Sequence, residues 1–351
     1  MGVVTRARLL GRLVQRGEWT RLYHAVSAGI ERAREPSVPK GPPIFLQVEP
    51  TILCNLECAF CINPYLPRAR ATLTLNKFCE MLDQVPSVSK ISLVGIGESV
   101  MNKELWQMIR YAKSKGIEIG TTSNGTILTD AMVKEICDSG LDWLNFSIDG
   151  ATKATYEKMR PGATFEQLLE NIKRVVNAID GRRVPALSVW FLATRDNIAE
   201  LPDMVPLVNN LGIRSLNTQG VHYWGNEDWH EGARAANDIP NLISILQTTR
   251  DRAEDQGVRF AFHNFPDPNA ERACKWPWTG SYITADGFVT PCCENGSDPD
   301  KINFGNIFTT PFDKIWHGDA YREFREQLRS TDGRPPICID CPSYHQTISL
   351  K

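Results

Sequence analysis

Six short apolar runs alternate with helical segments between residues 44 and 221, and this alternation limits the possible folds more than any other feature. The runs begin at Ile44, Lys90, Ile117, Asp142, Ala186 and Ile213. Each run has the composition of a buried strand, and several of the helical segments end at a glycine, which is a helix stop signal. Such alternation builds a parallel sheet through right-handed crossovers. The sequence therefore predicts an α/β fold in which six units form an open barrel, with functional groups at the carboxyl ends of the strands.

The pattern changes after residue 221, which indicates a second domain. A loop rich in aromatic and charged residues is followed by a helix and by an apolar strand at 258–263. From Cys274 the chain is irregular and rich in Cys, Pro and Gly, with a hairpin predicted within 281–293. We divide the chain into an N-terminal helical extension (1–40), a barrel (41–225), a linker helix and strand (226–261) and a small irregular domain (262–351).

The N-terminal extension is basic, with seven arginines and one lysine against three glutamates between residues 5 and 40. Its apolar residues recur at helical spacing. They are Leu9, Leu10, Leu13, Val14, Leu22, Tyr23 and Val26. One interpretation is a helix that binds a membrane surface or a partner. The other is an extension that lays its apolar stripe on the main domain, and we favour it because such amphipathic helices are common.

The overall composition bears on compartment and partners. The formal net charge is −2, so nothing in the total charge indicates nucleic acid or an acidic membrane surface. Five of the ten cysteines lie in two clusters at short spacing, which favours metal binding over a disulfide framework. No apolar run approaches the ~18 residues of a membrane span, and the N-terminus lacks the apolar core of a signal peptide. We expect a cytoplasmic protein with no membrane span and no nucleic-acid partner.

Three cysteines, Cys54, Cys58 and Cys61, follow the first predicted strand within eight residues. Three thiolates are one ligand short of a closed tetrahedral site, and none of the six histidines lies in this loop to complete a structural zinc site. Closely spaced thiolates on a short loop can hold a [4Fe–4S] cube. Such a cube would have one iron open to an outside ligand.

This loop, with the aromatic Phe60 just before the third cysteine, resembles the signature of the radical S-adenosylmethionine (SAM) enzymes. The resemblance covers residues 44–221 and implies a partial (β/α)6 barrel. It implies that SAM chelates the open iron, and that one electron cleaves SAM to a 5′-deoxyadenosyl radical that removes a hydrogen atom from the substrate. It also implies an electron donor of the flavodoxin or ferredoxin type.

Other motifs match the SAM-binding positions of that family. Gly95, Gly97 and Glu98 resemble its glycine–glutamate motif, in which glycine lets the backbone approach the methionyl amine, although Ser99 replaces the usual proline. Further residues that match SAM-binding positions lie at the ends of the third and fourth predicted strands or after them. These are Ser123, Asn124, Ser147, Asp149 and Arg160. We expect Asp149 to accept from the ribose hydroxyls and Arg160 to pair with the SAM carboxylate. A turn for Asp149 and a solvated helix end for Arg160 are the alternatives.

Four cysteines of the C-terminal region, Cys274, Cys292, Cys338 and Cys341, form the second candidate site. Spacing alone fits a four-cysteine zinc ribbon as well as an iron–sulfur cube. With the open site upstream, the segment resembles the auxiliary-cluster domains called SPASM and Twitch. Because no cysteine follows Cys341, we expect a single auxiliary [4Fe–4S] cluster. We leave Cys293 out, because adjacent residues rarely bind one cube together.

A fully ligated second cluster predicts a function, because it could accept the electron that an oxidation releases. We expect a radical SAM dehydrogenase that oxidises a hydroxyl of a sugar, a cyclitol or a similar natural-product intermediate. One alternative is a maturase that forms a thioether or carbon–carbon link in a peptide. The short segment before the barrel favours a small molecule over a peptide. The second alternative is a non-catalytic iron–sulfur electron carrier.

Four residues at the ends of the fifth and sixth predicted strands are candidates for substrate contact. They are Arg195, Gln219, His222 and Tyr223. His222 is the candidate proton acceptor, since only a histidine among them titrates near neutral pH. A core or surface histidine without a catalytic role is the alternative.

Overall fold

A nine-stranded sheet joins the two halves of the chain in a computed structural model. The structure describes residues 10–350 except 12, 13, 16, 180, 183, 222–238, 268, 271, 273, 295, 331, 332 and 340. The strands are β1 (Phe45–Val48), β2 (Lys90–Leu93), β3 (Glu118–Ser123), β4 (Trp143–Ser147), β5 (Ala186–Ala193), β6 (Ser215–Gly220), β7 (Arg259–His263), β8 (Gly280–Ile283) and β9 (Val289–Thr290). Their spatial order is β7-β6-β5-β4-β3-β2-β1-β8-β9.

Strands β1 to β7 pair in parallel, each with the next along the chain, and this confirms the α/β fold with a partial barrel. The count of six strands was one too low. The run at 258–263, which we assigned to a linker, is β7 and pairs in parallel with β6. The aromatic and charged segment after residue 221 interrupts the strand–helix period, so the sequence pattern ends one unit before the sheet does.

Ten α-helices lie in the described part of the chain. They are α1 (Trp19–Arg34), α2 (Leu75–Asp83), α3 (Leu105–Ser114), α4 (Asp130–Asp138), α5 (Lys153–Met159), α6 (Phe165–Ala178), α7 (Leu201–Asn210), α8 (Leu242–Asp255), α9 (Phe312–Trp316) and α10 (Asp319–Arg329). Threonine hydroxyls accept backbone hydrogen bonds at the N-terminal ends of α2, α4 and α5. Gly116, Gly140 and Gly212 follow helices with φ of 74°, 86° and 80°, which confirms the predicted stops.

The C-terminal region is attached to the barrel through the sheet itself. Strand β8 pairs in parallel with β1, from Phe45 opposite Gly280 to Val48 opposite Ile283, and β9 completes the predicted hairpin. Glycine is required at 280, because a Cβ there would lie 2.7 Å from the Phe45 carbonyl oxygen. One apolar core includes Leu46 of β1, Ile283 of β8 and Trp316 of α9. The barrel and the C-terminal region therefore share both a sheet and a core.

Helix α1 buries only part of the apolar stripe that we expected it to lay on the main domain. Its small residues Ala25 and Ala28 are buried, whereas Trp19 and Tyr23 are exposed to 65% and 70%. Val26 is exposed as well, and Leu22 is partly buried against Ala25. Of the other residues of the predicted stripe, Val14 is exposed, Leu10 also packs against Ala25, and Leu9 and Leu13 lie outside the described residues. None of the described helices has the length and apolar character needed to cross a bilayer.

Candidate functional site

The three-cysteine loop lies at the carboxyl end of β1 and is fastened to the end of α5. The Cys61 amide donates to the Cys58 carbonyl at 3.0 Å, which closes a turn between the second and third cysteines. The Ala59 amide donates to the Met159 carbonyl at 3.1 Å, and the Glu57 amide donates to the Pro161 carbonyl. The three thiols are free and partly exposed. The loop therefore offers three thiol ligands on a backbone that is held from one side by residues 159–161.

The glycine–glutamate motif after β2 supports this loop from the other side. The Glu98 amide donates to the Leu53 carbonyl at 2.8 Å. A Cβ at Gly97 would lie 2.3 Å from the Thr51 carbonyl oxygen, and a Cβ at Gly95 would lie 2.2 Å from Glu49 Cγ. Both glycines are therefore needed to let the motif pack against the segment that leads from β1 to Cys54. The approach to SAM that we expected for them stays a prediction.

The Glu98 carboxylate is buried and joins the motif to the end of β3. Its Oε2 accepts from the Asn124 amide at 2.7 Å. The Asn124 side chain donates to Asn55 Oδ1 at 2.9 Å, and Ser123 Oγ accepts from the Gly125 amide at 3.0 Å. Burial raises the pKa of the Glu98 carboxyl above its ordinary value, although hydrogen bonds from the Asn124 amide and the Ser123 side chain oppose the shift. The carboxylate thus positions the loop between Cys54 and Cys58 through Asn124.

Asp149 and Arg160 form a buried ion pair with each other. Arg160 Nε donates to Asp149 Oδ2 at 2.6 Å, and the Leu192 amide donates to Asp149 Oδ1 at 2.7 Å. Arg160 also reaches the three-cysteine loop, because its Nη1 lies 3.7 Å from Cys58 Sγ and its guanidinium lies 5.6 Å from the Phe60 ring centre. We expected separate contacts of Asp149 and Arg160 with SAM. These contacts stay predictions, and the structure shows that the carboxylate holds the guanidinium beside Cys58.

The electrostatic environment of the loop is set by burial and by this guanidinium. Burial raises the pKa of the Cys58 thiol to about 12, and Arg160 partly offsets the rise. Burial also disfavours the charge on Arg160, but Asp149 and Cys58 raise the pKa of the guanidinium above its ordinary value. A positive charge next to the loop favours the thiolate form that iron requires.

The remaining predicted residues are spread along the strand ends. Ser147 is the last residue of β4 and is partly buried. Gln219 is partly buried near the end of β6, and Arg195 is exposed beyond β5. His222 and Tyr223 lie outside the described residues. The structure therefore places Ser147 and Gln219 at the carboxyl ends of β4 and β6 and Arg195 just after β5. Their contact with substrate stays a prediction.

The four C-terminal cysteines converge although 67 positions separate Cys274 from Cys341. Cys274, Cys292, Cys338 and Cys341 line one small cavity together with mostly apolar residues and with Glu294 and Ser343. Cys293 does not line it. Burial raises the pKa of the Cys338 and Cys341 thiols well above their ordinary value, and both thiols interact electrostatically with Cys274 and Cys292. The cavity therefore gathers the four predicted ligands and leaves out the fifth cysteine.

The number of thiols at each site matches an iron–sulfur cube. A zinc ion holds its four sulfurs at about 2.3 Å from one point. Among the described residues, no three His, Cys, Asp or Glu side chains are arranged to hold a single metal ion. A four-iron cube binds each thiolate through a different iron and spaces the sulfurs more widely. The four thiols at the cavity and the three at the loop are the ligand numbers of a fully ligated cube and of a cube with one open iron.

A buried carboxylate that sequence reasoning missed connects the two regions. Glu49 directly follows β1 and is fully buried. It accepts hydrogen bonds from Arg68 after the three-cysteine loop, from the Ile96 amide in the glycine motif, and from Tyr282 Oη and the Ala285 amide in the C-terminal hairpin. A buried carboxylate needs such partners. A glutamate that directly follows an apolar strand was the available signal.

Comparisons with known proteins agree with this geometry. Residues 48–204 match the family model of the radical SAM superfamily, and residues 274–342 match that of the SPASM iron–sulfur cluster-binding domain. The chain is 25% identical over 317 residues to the tungsten-containing aldehyde ferredoxin oxidoreductase cofactor-modifying protein of Pyrococcus furiosus, covering 85% of this chain and 86% of that protein. It is 24% identical over 311 residues to the PqqA peptide cyclase of Rhizobium meliloti, covering 86% and 80%.

The fold is also similar to a solved structure, that of Streptococcus suis SuiB bound to the precursor peptide SuiA. The TM-score is 0.69 at 14% sequence identity, and the match covers 94% of this chain and 80% of SuiB. At this identity the similarity concerns the fold alone. The two matched domains account for the three-cysteine loop and for the four-cysteine cavity, one in each domain. The chain therefore belongs to the radical SAM superfamily and carries a SAM-binding iron–sulfur cluster in its barrel and an auxiliary iron–sulfur cluster in its C-terminal SPASM domain.

Proposed function

We propose that the protein is a radical SAM oxidoreductase that removes a hydrogen atom from its substrate and passes one electron of the resulting radical to the auxiliary cluster. When bound, SAM and the open cluster supply the 5′-deoxyadenosyl radical, and the auxiliary cluster supplies an electron acceptor. Cys54, Cys58 and Cys61 would hold the first cluster. Arg160, which Asp149 orients, would stabilise the charge on Cys58. Glu98 and Asn124 would keep the loop in place.

The observation that carries the proposal is the difference in ligand number between the two sites. The first loop offers three thiols, whereas four thiols line the C-terminal cavity. A cube with four protein ligands has no iron open to SAM, so its available role is electron transfer or structure. In the proposed reaction the substrate would lose a hydrogen atom to the radical that bound SAM would supply. The substrate radical then loses one proton and one electron, which gives a product oxidised by two electrons.

The shared sheet supports the electron transfer. Strand β1 leads into the three-cysteine loop, and its neighbour β8 leads through the hairpin to Cys292. Glu49 adds direct hydrogen bonds between the two regions. A continuous hydrogen-bonded connection of this kind keeps two sites at a constant separation, which would keep the rate of electron transfer between them constant.

Two classes of substrate are candidates. The first is a hydroxyl of a sugar, a cyclitol or a similar intermediate, for which the product would be a carbonyl. The second is a peptide, for which the oxidised product would be a cross-link. The similarity to the PqqA peptide cyclase supports a peptide substrate. The similarity to a cofactor-modifying protein supports a small molecule. The peptide is therefore supported at least as well as the small molecule.

The oxidoreductase proposal is tested by removing the auxiliary cluster alone. The variant Cys338→Ala with Cys341→Ala should lose about four of about eight irons and should still form 5′-deoxyadenosine. Oxidised product should fall sharply, because the substrate radical has no acceptor. Cys79→Ala with Cys137→Ala is the matched control, since both thiols lie on helices outside the two sites. A variant with wild-type circular dichroism and SAM affinity that makes product at the normal rate would refute the acceptor role.

The substrate class is tested with an extract of the cells in which this protein naturally occurs, used as the source of substrate. The measured quantity is the rise in 5′-deoxyadenosine formation that the extract causes. If the rise disappears after the extract is digested with a protease and filtered, the substrate is a peptide. If the rise survives digestion, the substrate is a small molecule. Variants of Arg195 and Gln219 can then be assayed with the active fraction.

A further inference from the structure

The exposed apolar residues of the protein are concentrated on and beside α1. Eleven large apolar side chains are exposed among the described residues, and six of them lie between Val14 and Val38. Four of the six occupy α1. They are Trp19, Tyr23, Val26 and Ile30. Their spacing of four, three and four residues places them on one face of the helix. The other five exposed apolar residues are scattered between residues 53 and 339. We call the four residues on α1 the outer stripe.

The opposite face of α1 fastens the helix to the protein. Ala25 and Ala28 are buried, and Glu31 accepts hydrogen bonds from the Lys40 and Gly41 amides. Arg21 donates to the carbonyl oxygens of Pro86 and Lys115. The small and polar residues therefore determine which face is buried. The outer stripe faces solvent because of these contacts, so its exposure is built into the fold.

The charge of the N-terminal region indicates what covers the outer stripe. Residues 1–40 carry eight basic and three acidic residues, a formal charge of +5. The whole chain carries −2, which leaves −7 for residues 41–351. Tryptophan and tyrosine are the side chains that favour the boundary between lipid and water. Basic residues in the chain segment that carries such a face attract anionic headgroups.

The same charge disfavours a second copy of the chain as the partner. A two-fold interface at α1 would bring two N-terminal segments together, each with a formal charge of +5 in its sequence. An anionic lipid surface is complementary instead. We propose that α1 docks the protein on the surface of an anionic bilayer, with the outer stripe inserted at the level of the headgroups.

The test is co-sedimentation of the full, cluster-loaded protein with vesicles. One set contains phosphatidylcholine and phosphatidylglycerol in equal amounts, and the other contains phosphatidylcholine alone. The wild type should bind the mixed vesicles more tightly, and added salt should weaken that binding. The variant Tyr23→Ser with Ile30→Ser should bind at least about tenfold more weakly, since two apolar side chains no longer insert. Ile243→Ser, an exposed apolar residue on α8, is the matched control and should bind as the wild type does.

Three results would overturn the proposal. The first is a wild type that does not bind the mixed vesicles. The second is equal binding by the wild type and the Tyr23→Ser, Ile30→Ser variant. The third is a wild-type dimer in light scattering that the variant converts to monomer, with no vesicle binding by either, which would make the outer stripe an interface between copies.

Discussion

Replacing Gly97 by alanine distinguishes two reasons for the glycine in the motif after β2. In the structure, a Cβ at this position would meet three backbone atoms, at 2.3 Å for the Thr51 carbonyl oxygen and at 2.6 Å for Ile52 C and the Leu53 carbonyl oxygen. Backbone cannot rotate away as a side chain does. Leu53 directly precedes Cys54, so any displacement of this segment is transmitted to the first ligand.

The magnitude follows from these distances. Real Cβ contacts are essentially never shorter than 3.0 Å, so the Thr51 oxygen must retreat by at least 0.7 Å. Forcing an extra methyl group into a packed site lowers the free energy of unfolding by about 1–3 kcal/mol. Because the new methyl group would meet three backbone atoms, we expect a loss toward the upper end of this range. We expect the three-cysteine loop to lose its geometry while the C-terminal cavity, which lies on other elements, keeps its own.

The assay is iron and sulfide content after anaerobic reconstitution, before SAM is added. The Gly97→Ala variant should hold about four irons instead of about eight and should not cleave SAM. Gly41→Ala is the matched control, because the nearest atoms to its Cβ are side-chain atoms at 3.8 Å, an ordinary contact. If Gly97→Ala holds the full eight irons and loses only SAM affinity, the glycine serves the approach of SAM and the packing argument is wrong.

Two further predictions concern the ligand set and the buried ion pair. Cys293→Ala should keep about eight irons and Cys274→Ala should hold about four; equal loss in both variants would contradict the assignment of ligands. In urea unfolding of the apoprotein, Asp149→Asn should lower the free energy of unfolding by about 3–5 kcal/mol, because it leaves a buried guanidinium uncompensated. Adding Arg160→Met should recover much of that loss, and strictly additive effects of the two substitutions would show that the ion pair does not couple them.

The parts of the fold that follow from local pattern could be predicted. The alternation of strands and helices depends on spacing within about 15 residues, and the glycine stops depend on single positions such as Gly116. The pairing of β8 with β1 depends on residues far apart in the chain, such as Phe45 and Gly280. Nothing in the four residues of β8 indicates which strand it will join, so the shared sheet could not be predicted.

The candidate site shows the same division. Cysteine spacing predicted two groups of ligands, and the structure gathers both of them. Asp149 and Arg160 were both predicted at the SAM site, but a single sequence does not show which charges pair with each other. For α1, periodicity predicted an apolar stripe but not its direction. The direction depends on anchors such as Glu31 and on the small Ala25 and Ala28, which allow a close approach.

The position of β1 between β2 and β8 has a consequence for how the chain folds during synthesis. Residues 45–48 leave the ribosome long before residues 280–283, so one edge of β1 has no partner until most of the chain has been made. An unpaired strand edge invites association with other chains. The nascent barrel is therefore exposed to aggregation for most of its synthesis. A fragment that ends before β8 would keep that open edge permanently and would also deprive the buried Glu49 of two hydrogen-bond donors.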